Sequence, residues 1–287
     1  MTTVPYPHLP RFRKFLITFL LLLLLSPLAM SAVEERGNSA TALGMGCSLA
    51  SDPFNPAGRS VNPAAAAFAD GFAFQIGFQR SYDLPELDRI HLNAIYPWQS
   101  RIIGLSVSSF GGDLYGERTV MLSISQRLTP WFAIGMAGGR AEVSIDRYGS
   151  DSAFLGDAGL LFYHRYVQLG IGGSNLVAQG MERYGSDPVP SQGVVSLRIS
   201  PDQRFAITLE SSVEKGLPPG FRFGGELRVY PNLLVRSGFD NRTERIHLGL
   251  GFLFDGLAVN GSYDHHPYLG WSKAFDLGWR EQDRAVE

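Results

Sequence analysis

HLGLGFLF, His247–Phe254, places a bulky apolar side chain at every second position: Leu248, Leu250, Phe252 and Phe254. His247, Gly249 and Gly251 stand between them. A period of two puts the sets on opposite faces of a β-strand. The pattern recurs along the chain. RIIGLSVSSF (Arg101–Phe110) sets Ile103, Leu105 and Val107 against Gly104, Ser106 and Ser108. VMLSISQR (Val120–Arg127) sets Val120, Leu122 and Ile124 against Met121, Ser123 and Ser125. RFAITLES (Arg204–Ser211) sets Phe205, Ile207 and Leu209 against Ala206, Thr208 and Glu210.

Fourteen such segments can be read, near 72–82, 88–97, 100–110, 118–127, 131–141, 153–164, 166–175, 192–200, 203–212, 220–230, 232–240, 244–254, 256–264 and 270–280. Their connections alternate in length. Tight turns are expected at 98–99, 129–130, 202–203, 231–232 and 255–256, and longer loops at 111–117, 142–152, 176–191, 213–219 and 265–269. Hairpins with short turns at one end and long loops at the other are the layout of a transmembrane antiparallel β-barrel. Strands of about 9–11 residues suit a tilted crossing of the bilayer.

The contents of the two faces separate this reading from a soluble sandwich or lipocalin-like barrel. A solvated sheet face is rich in lysine and glutamate. Here the second face is mostly Gly, Ser, Ala and Asn, with His91 and His247. Its charges are sparse and of both signs: Arg198, Glu210, Arg222, Glu226, Arg228, Arg236, Asp276 and Arg280. That composition fits a narrow polar lumen. Aromatic residues gather near strand ends, at Tyr96, Trp98, Trp131, Phe132, Tyr163, Tyr166, Tyr230, Tyr268, Trp271 and Trp279. Girdles at the two membrane interfaces have this distribution.

Residues 1–31 read as a secretory signal peptide. Arg11, Arg13 and Lys14 precede the apolar run Leu16–Met30, and small residues follow it. Pro27 interrupts the run, which is shorter than the ~20 residues of a spanning helix. The remainder has 22 basic groups (25 less 3) against 27 acidic, net −5, which does not favour nucleic acid as a partner. A single cysteine, Cys47, excludes an internal disulfide and reads as a small buried residue.

Two stretches precede the first strand: ATALGMGCSLA, Ala40–Ala50, and VNPAAAAFADG, Val61–Gly71. They resemble the start of the PorV/PorQ group of outer-membrane proteins, which is related to the FadL-type transporters of hydrophobic compounds. The matching positions are Ala42, Leu43, Gly44, Met45 and Gly46, then Asn62, Pro63 and Ala64. The end of the chain, Leu233–Trp279, is similar in style to the last four strands of that group. Cys47 departs from the pattern, as does a second Asn-Pro-Ala at Asn55–Ala57, read here as a turn. The barrel's last aromatic is followed by a tail, 281–287.

The resemblance implies a barrel over 72–280 with residues 32–71 folded into its lumen as a plug. The residues of the segment agree. Small side chains suit a crowded lumen, Pro63 restricts φ, and the Asn62 side chain can turn the chain before it. The resemblance also implies two alternative functions in the bacterial outer membrane. One is a channel or transporter for small hydrophobic or amphipathic molecules. The other is a PorV-like factor of type IX protein secretion, meeting secretion-system proteins through loop 176–191. Lipid is an expected partner in either case. No enzyme, cofactor or metal is expected. His265 and His266, in Asp264–Pro267, alternate in direction and do not share a face for a metal, and no G-x-S-x-G occurs.

Overall fold

The computed structural model describes residues 39–281, apart from 54, 181–188, 203 and 215–216. The expected signal peptide, the tail beyond 281 and the middle of loop 176–191 lie outside the described residues. Fourteen strands are present among those described: β1 Ala73–Arg80, β2 Asp88–Trp98, β3 Arg101–Gly111, β4 Tyr115–Thr129, β5 Phe132–Ile145, β6 Gly149–His164, β7 Val167–Gly180, β8 Gln192–Ile199, β9 Phe205–Glu214, β10 Gly220–Tyr230, β11 Leu233–Asp240, β12 Arg245–Phe254, β13 Leu257–His266 and β14 Gly270–Arg280. Each pairs antiparallel with the next, and β1 pairs with β14, so the sheet closes on itself and leaves no open edge. No described helix is long and apolar enough to cross a membrane.

The two faces are those of the alternation. On β12, Ile246, Leu248, Leu250 and Phe252 point outward and His247 is fully enclosed. Outward positions elsewhere hold Ile76, Leu122, Met136, Phe154, Phe223 and Phe275, an apolar belt that water would solvate poorly and lipid would cover. Aromatics cluster at the short-turn end: Phe132 and Phe162 at 4.8 Å, Trp131 and Phe162 at 6.3 Å, Phe72 and Trp279 at 6.0 Å. Tyr163 departs from the expected girdle. It faces inward and stacks on Phe68 of the plug at 4.6 Å, because it shares its strand face with buried Leu161.

The loops expected at 111–117 and 142–152 are mostly strand. β4 begins at Tyr115, β5 runs to Ile145 and β6 starts at Gly149, leaving turns of three residues. Here Ala141 and Val143 are still buried inside the wall, whereas the outward positions carry Arg140, Glu142 and Ser144. Polar residues outside a strand weaken the contrast between its faces, so the pattern fades while pairing continues. β4 and β6 have 15 and 16 residues against 8 and 10 for β11 and β12, so the wall has its longest strands on the β4–β7 side.

β7 is interrupted. Gly173 pairs with Ala158 and Val177 with Gly156, so Ser174–Leu176 bulge opposite Asp157. Asn175 takes φ +55, donates its backbone N–H to Asp157 Oδ1 at 2.8 Å, and donates from Nδ2 to Pro190 O at 3.0 Å. β7 runs to Gly180, so the first residues of the loop expected at 176–191 are strand, and these bonds hold the end of the remaining connection inward. Val189 packs with Met121, Ala141, Ala153 and Leu155.

Most of the described residues between Ser39 and Ala69 are buried against the inner face of the wall, and Asp70 is exposed at its end. The short helix α1, Ala40–Gly44, is capped by Ser39, whose Oγ accepts from Ala42 N–H at 3.0 Å. Two 3₁₀ turns follow, Pro56–Ser60 and Pro63–Phe68. Each opens in the same way. Asn55 Oδ1 accepts from Ala57 N–H at 2.9 Å and Asn62 Oδ1 from Ala64 N–H at 3.0 Å, with proline at the first helical position. The two Asn-Pro-Ala motifs are thus one capping device used twice.

Candidate functional site: the plug and the lumen wall

The plug meets the wall backbone to backbone, and glycines make the contact possible. A Cβ at Gly224 on β10 would come within 2.5 Å of Met45 O, and one at Gly172 on β7 within 2.5 Å of Val61 O. A Cβ at Gly135 on β5 would overlap Pro63 and Ala64, one at Gly159 on β6 the Asn62 side chain, one at Gly170 Ala50, and one at Gly238 on β11 Gly46. Gly44 seats on Gly249 of β12, where added Cβ atoms would lie 3.1 and 3.0 Å from the facing Cα. Gly46 has φ +63, a conformation that favours glycine. Glycines on two runs of neighbouring strands, β5–β7 and β10–β12, therefore serve as seats for the plug.

Of the motif residues named from the sequence, Gly44, Met45 and Gly46 pack on β10–β12, while Asn62, Pro63 and Ala64 pack on β5–β7. Asn62 is fully buried and ties three parts together. Its Oδ1 caps Ala64, and its Nδ2 donates to Ala50 O at 2.7 Å within the plug and to Leu160 O at 3.0 Å on β6. Apolar contacts complete the fit. Ala64, Ala67 and Phe68 join Ala133 and Leu161, and Leu43 joins Ala274. Cys47 is half-buried beside that second group, with φ +62.

The expected lumen charges form a network over β8–β11 that reaches the plug. Arg198 lies 3.5 Å from Glu226 and 3.7 Å from Asp52 of the plug. Arg236 Nε donates to Glu226 Oε2 at 2.7 Å, and its Nη1 to Asn260 Oδ1 at 2.9 Å. Arg222 bridges Glu210 at 3.3 Å and Asp240 at 3.2 Å. Glu210 also accepts the Ala50 N–H at 3.1 Å. Arg228 stands apart: no carboxylate comes within 4 Å of it among the described residues. His247 is enclosed on β12, opposite Asp264 in register. Buried charges persist only when paired and hydrogen-bonded, and Arg198, Arg222, Arg236, Glu210 and Glu226 each have a partner of opposite charge.

Asp276 anchors α1. Its Oδ2 accepts from Thr41 N–H at 3.2 Å and from Gln75 Nε2 at 2.7 Å, and its Oδ1 lies 3.4 Å from His91 Nε2. Across β2–β5 the charges lie toward the strand ends, where Glu117 of β4 accepts from the Tyr115 hydroxyl and Arg127 lies 4.0 Å from Asp70. Between them Asn93, Gly104, Ser106, Ser123, Ser125 and Ala137 face inward, and Arg59 of the plug lies against Ser123.

Asp52, Arg59 and Gln75 were not named from the sequence. Asp52 and Arg59 lie between the stretches Ala40–Ala50 and Val61–Gly71, and only the folded chain brings them to the wall. Of the histidine pair, His266 ends β13 and closes the turn after it: its Nδ1 accepts from Tyr268 N–H at 3.1 Å and Leu269 N–H at 3.2 Å.

No protein-family model matches the chain, and no curated protein matches it in sequence. Solved structures do match in shape. The toluene transporter TbuX of Ralstonia pickettii superposes with a TM-score of 0.66 at 10% identity, over 86% of this chain and 99% of that one. The toluene transporter TodX of P. putida gives 0.65 at 11% identity, over 87% and 100%. A Pseudomonas aeruginosa FadL homologue gives 0.63 at 11% identity, over 84% and 97%. At these identities the likeness is one of fold, and the fold is that of the FadL-type barrels.

Proposed function

We propose that the protein is a channel of the bacterial outer membrane for small hydrophobic or amphipathic molecules, with the plug as the element that controls passage. The observation that carries this reading is the seating of the plug: it meets wall glycines on β5, β6, β7, β10, β11 and β12, so a docked plug blocks a straight path along the barrel axis. The solved structures of similar fold include transporters of toluene, which agrees with a hydrophobic solute. That these solved structures are transporters supports a non-enzymatic role.

The test is to lock the plug. Leu43 and Ala274 share one packed cluster, so Leu43→Cys with Ala274→Cys, in a chain where Cys47→Ala removes the native thiol, allows a reversible disulfide. Cells carrying this variant should take up labelled toluene slowly when oxidised and at the wild-type rate after reduction. Uptake that ignores the lock, or uptake by the reduced variant and the wild type no faster than by cells lacking the protein, refutes the reading. The alternative of a PorV-like secretion factor turns on loop 176–191, whose residues 181–188 lie outside the described residues. No specific observation favours it over transport.

A further inference from the structure

Four arginines are buried among the described residues: Arg59, Arg198, Arg236 and Arg245. Three have a carboxylate within reach. Arg198 and Arg236 share Glu226, and Arg245 lies 3.6 Å from Asp264. Arg59, in the plug turn Pro56–Ser60 and 3% exposed, has none. Its one hydrogen bond runs from Nη1 to Ser123 Oγ on β4, at 3.0 Å. Its Nε and Nη2 are buried without an acceptor. Ser123 accepts in that bond, so its own hydroxyl proton also remains to be donated.

The position of this group is set by the wall. A Cβ at Gly104 on β3 would overlap Arg59 Nη1 and lie 2.9 Å from Cζ, so the guanidinium rests on bare strand backbone. The free edge, Nε and Nη2, is the one with which Arg80 grips Asp88. There Nε donates to Oδ1 and Nη2 to Oδ2, both at 2.7 Å. Two parallel N–H groups at that spacing match the two oxygens of a planar carboxylate. A buried guanidinium left without a counter-charge is costly, and the other three buried arginines show how this protein avoids that cost elsewhere.

We propose that Arg59, with Ser123, binds a carboxylate-sized monoanion that comes from outside the chain and completes the docked plug. A single positive charge among serines and amides suits a monoanion rather than a dianion. The anion has two possible sources: a small free carboxylate, or the head of an amphipathic solute. The site stands or falls independently of the transport reading.

The experiment uses the full chain in detergent micelles at fixed ionic strength and follows the rate at which Cys47 reacts with a thiol reagent, a report on plug docking. Sodium formate or sodium decanoate, the latter below its micelle-forming concentration, replaces sodium fluoride. In the wild type a carboxylate should slow labelling saturably, by about threefold or more once it exceeds its dissociation constant. Arg59→Met should abolish the dependence. Arg59→Lys, which keeps the charge and loses the fork, should weaken it several-fold, and Ser123→Ala should weaken it less. Slowing by formate alone identifies a free small anion, and slowing by decanoate only identifies a solute head group. No carboxylate dependence in the wild type, or the same dependence in Arg59→Met, overturns the proposal. The wild-type and Ser123→Ala titrations decide the matter even if the Arg59 variants do not fold.

Discussion

His91 and Asp276 meet across Gly77. The three residues form one row of the sheet, because Gly77 on β1 pairs with His91 on β2 and with Asp276 on β14. A Cβ at Gly77 would overlap both neighbouring side chains. The missing side chain lets a histidine and a carboxylate close to 3.4 Å over the strand between them. This row lies on the seam where the first and last strands close the barrel, and its carboxylate also holds Thr41 of the plug. Barrel closure and plug docking thus share one residue.

The shared role predicts that Asp276→Ala disturbs both. It leaves the Thr41 N–H and the Gln75 amide buried without an acceptor, at about 1–3 kcal/mol for each group. Cys47 should become more reactive, and the heat-modifiable folded band should be lost at lower temperature. Gln75→Ala removes only a wall partner and should leave Cys47 closer to wild type. Equal effects of the two substitutions on Cys47 would contradict the anchor role.

Adjacent residues on β12 should differ sharply. Leu250→Arg places a charge outward in the apolar belt and should cost about 2–4 kcal/mol near the membrane midplane. Gly249→Arg points inward, where Gly44 and the Arg236 side chain already fill the space. The first change should reduce the yield of folded barrel. The second should leave the barrel folded and expel α1 from its seat, seen as fast Cys47 labelling. A Leu250→Arg protein that folds like wild type would rule out lipid on that face.

Wall glycines should sort by what lies above them. Gly135→Ala and Gly159→Ala push a methyl into Ala64 or Asn62, and should loosen the plug by roughly 1–3 kcal/mol. At Gly193 and Gly261 the nearest atom to an added Cβ is 4.0 Å away, and alanine should be tolerated. Limited proteolysis of the plug in the folded barrel separates the two groups. Uniform protection across all four variants would contradict the seating.

Removing residues 40–66 should give a larger and steadier conductance in planar bilayers, since the deletion ends before β1 and every strand pair survives. Ala65→Trp or Ala66→Trp should act more mildly. Both positions are buried, and overpacking of this kind costs about 1–3 kcal/mol. Unchanged conductance in the deletion variant would show that the plug does not obstruct the path.

The alternation in HLGLGFLF and its counterparts was enough to determine a fourteen-stranded barrel and which side chains look inward, because lipid outside and a narrow lumen inside impose opposite demands on successive residues. The same rule explains where the reading stopped. Along Arg140–Ser144 the outward residues are polar, the contrast falls, and the pattern predicts loop where the chain is strand. The position of Tyr163 near a strand end predicts a girdle residue, whereas the parity it shares with Leu161 turns it to the plug. For the plug itself, small residues and the second Asn-Pro-Ala were visible in order, and capping by Asn62 follows from local chemistry. Which glycine receives which plug residue was not visible. Nor was the meeting of His91 with Asp276, or the isolation of Arg59 beside Ser123. Those contacts join residues about 50 to 235 apart, through a sheet that must close before they exist. Local periodicity specifies strands and faces; only closure of the β1–β14 seam around the plug decides which buried groups find partners.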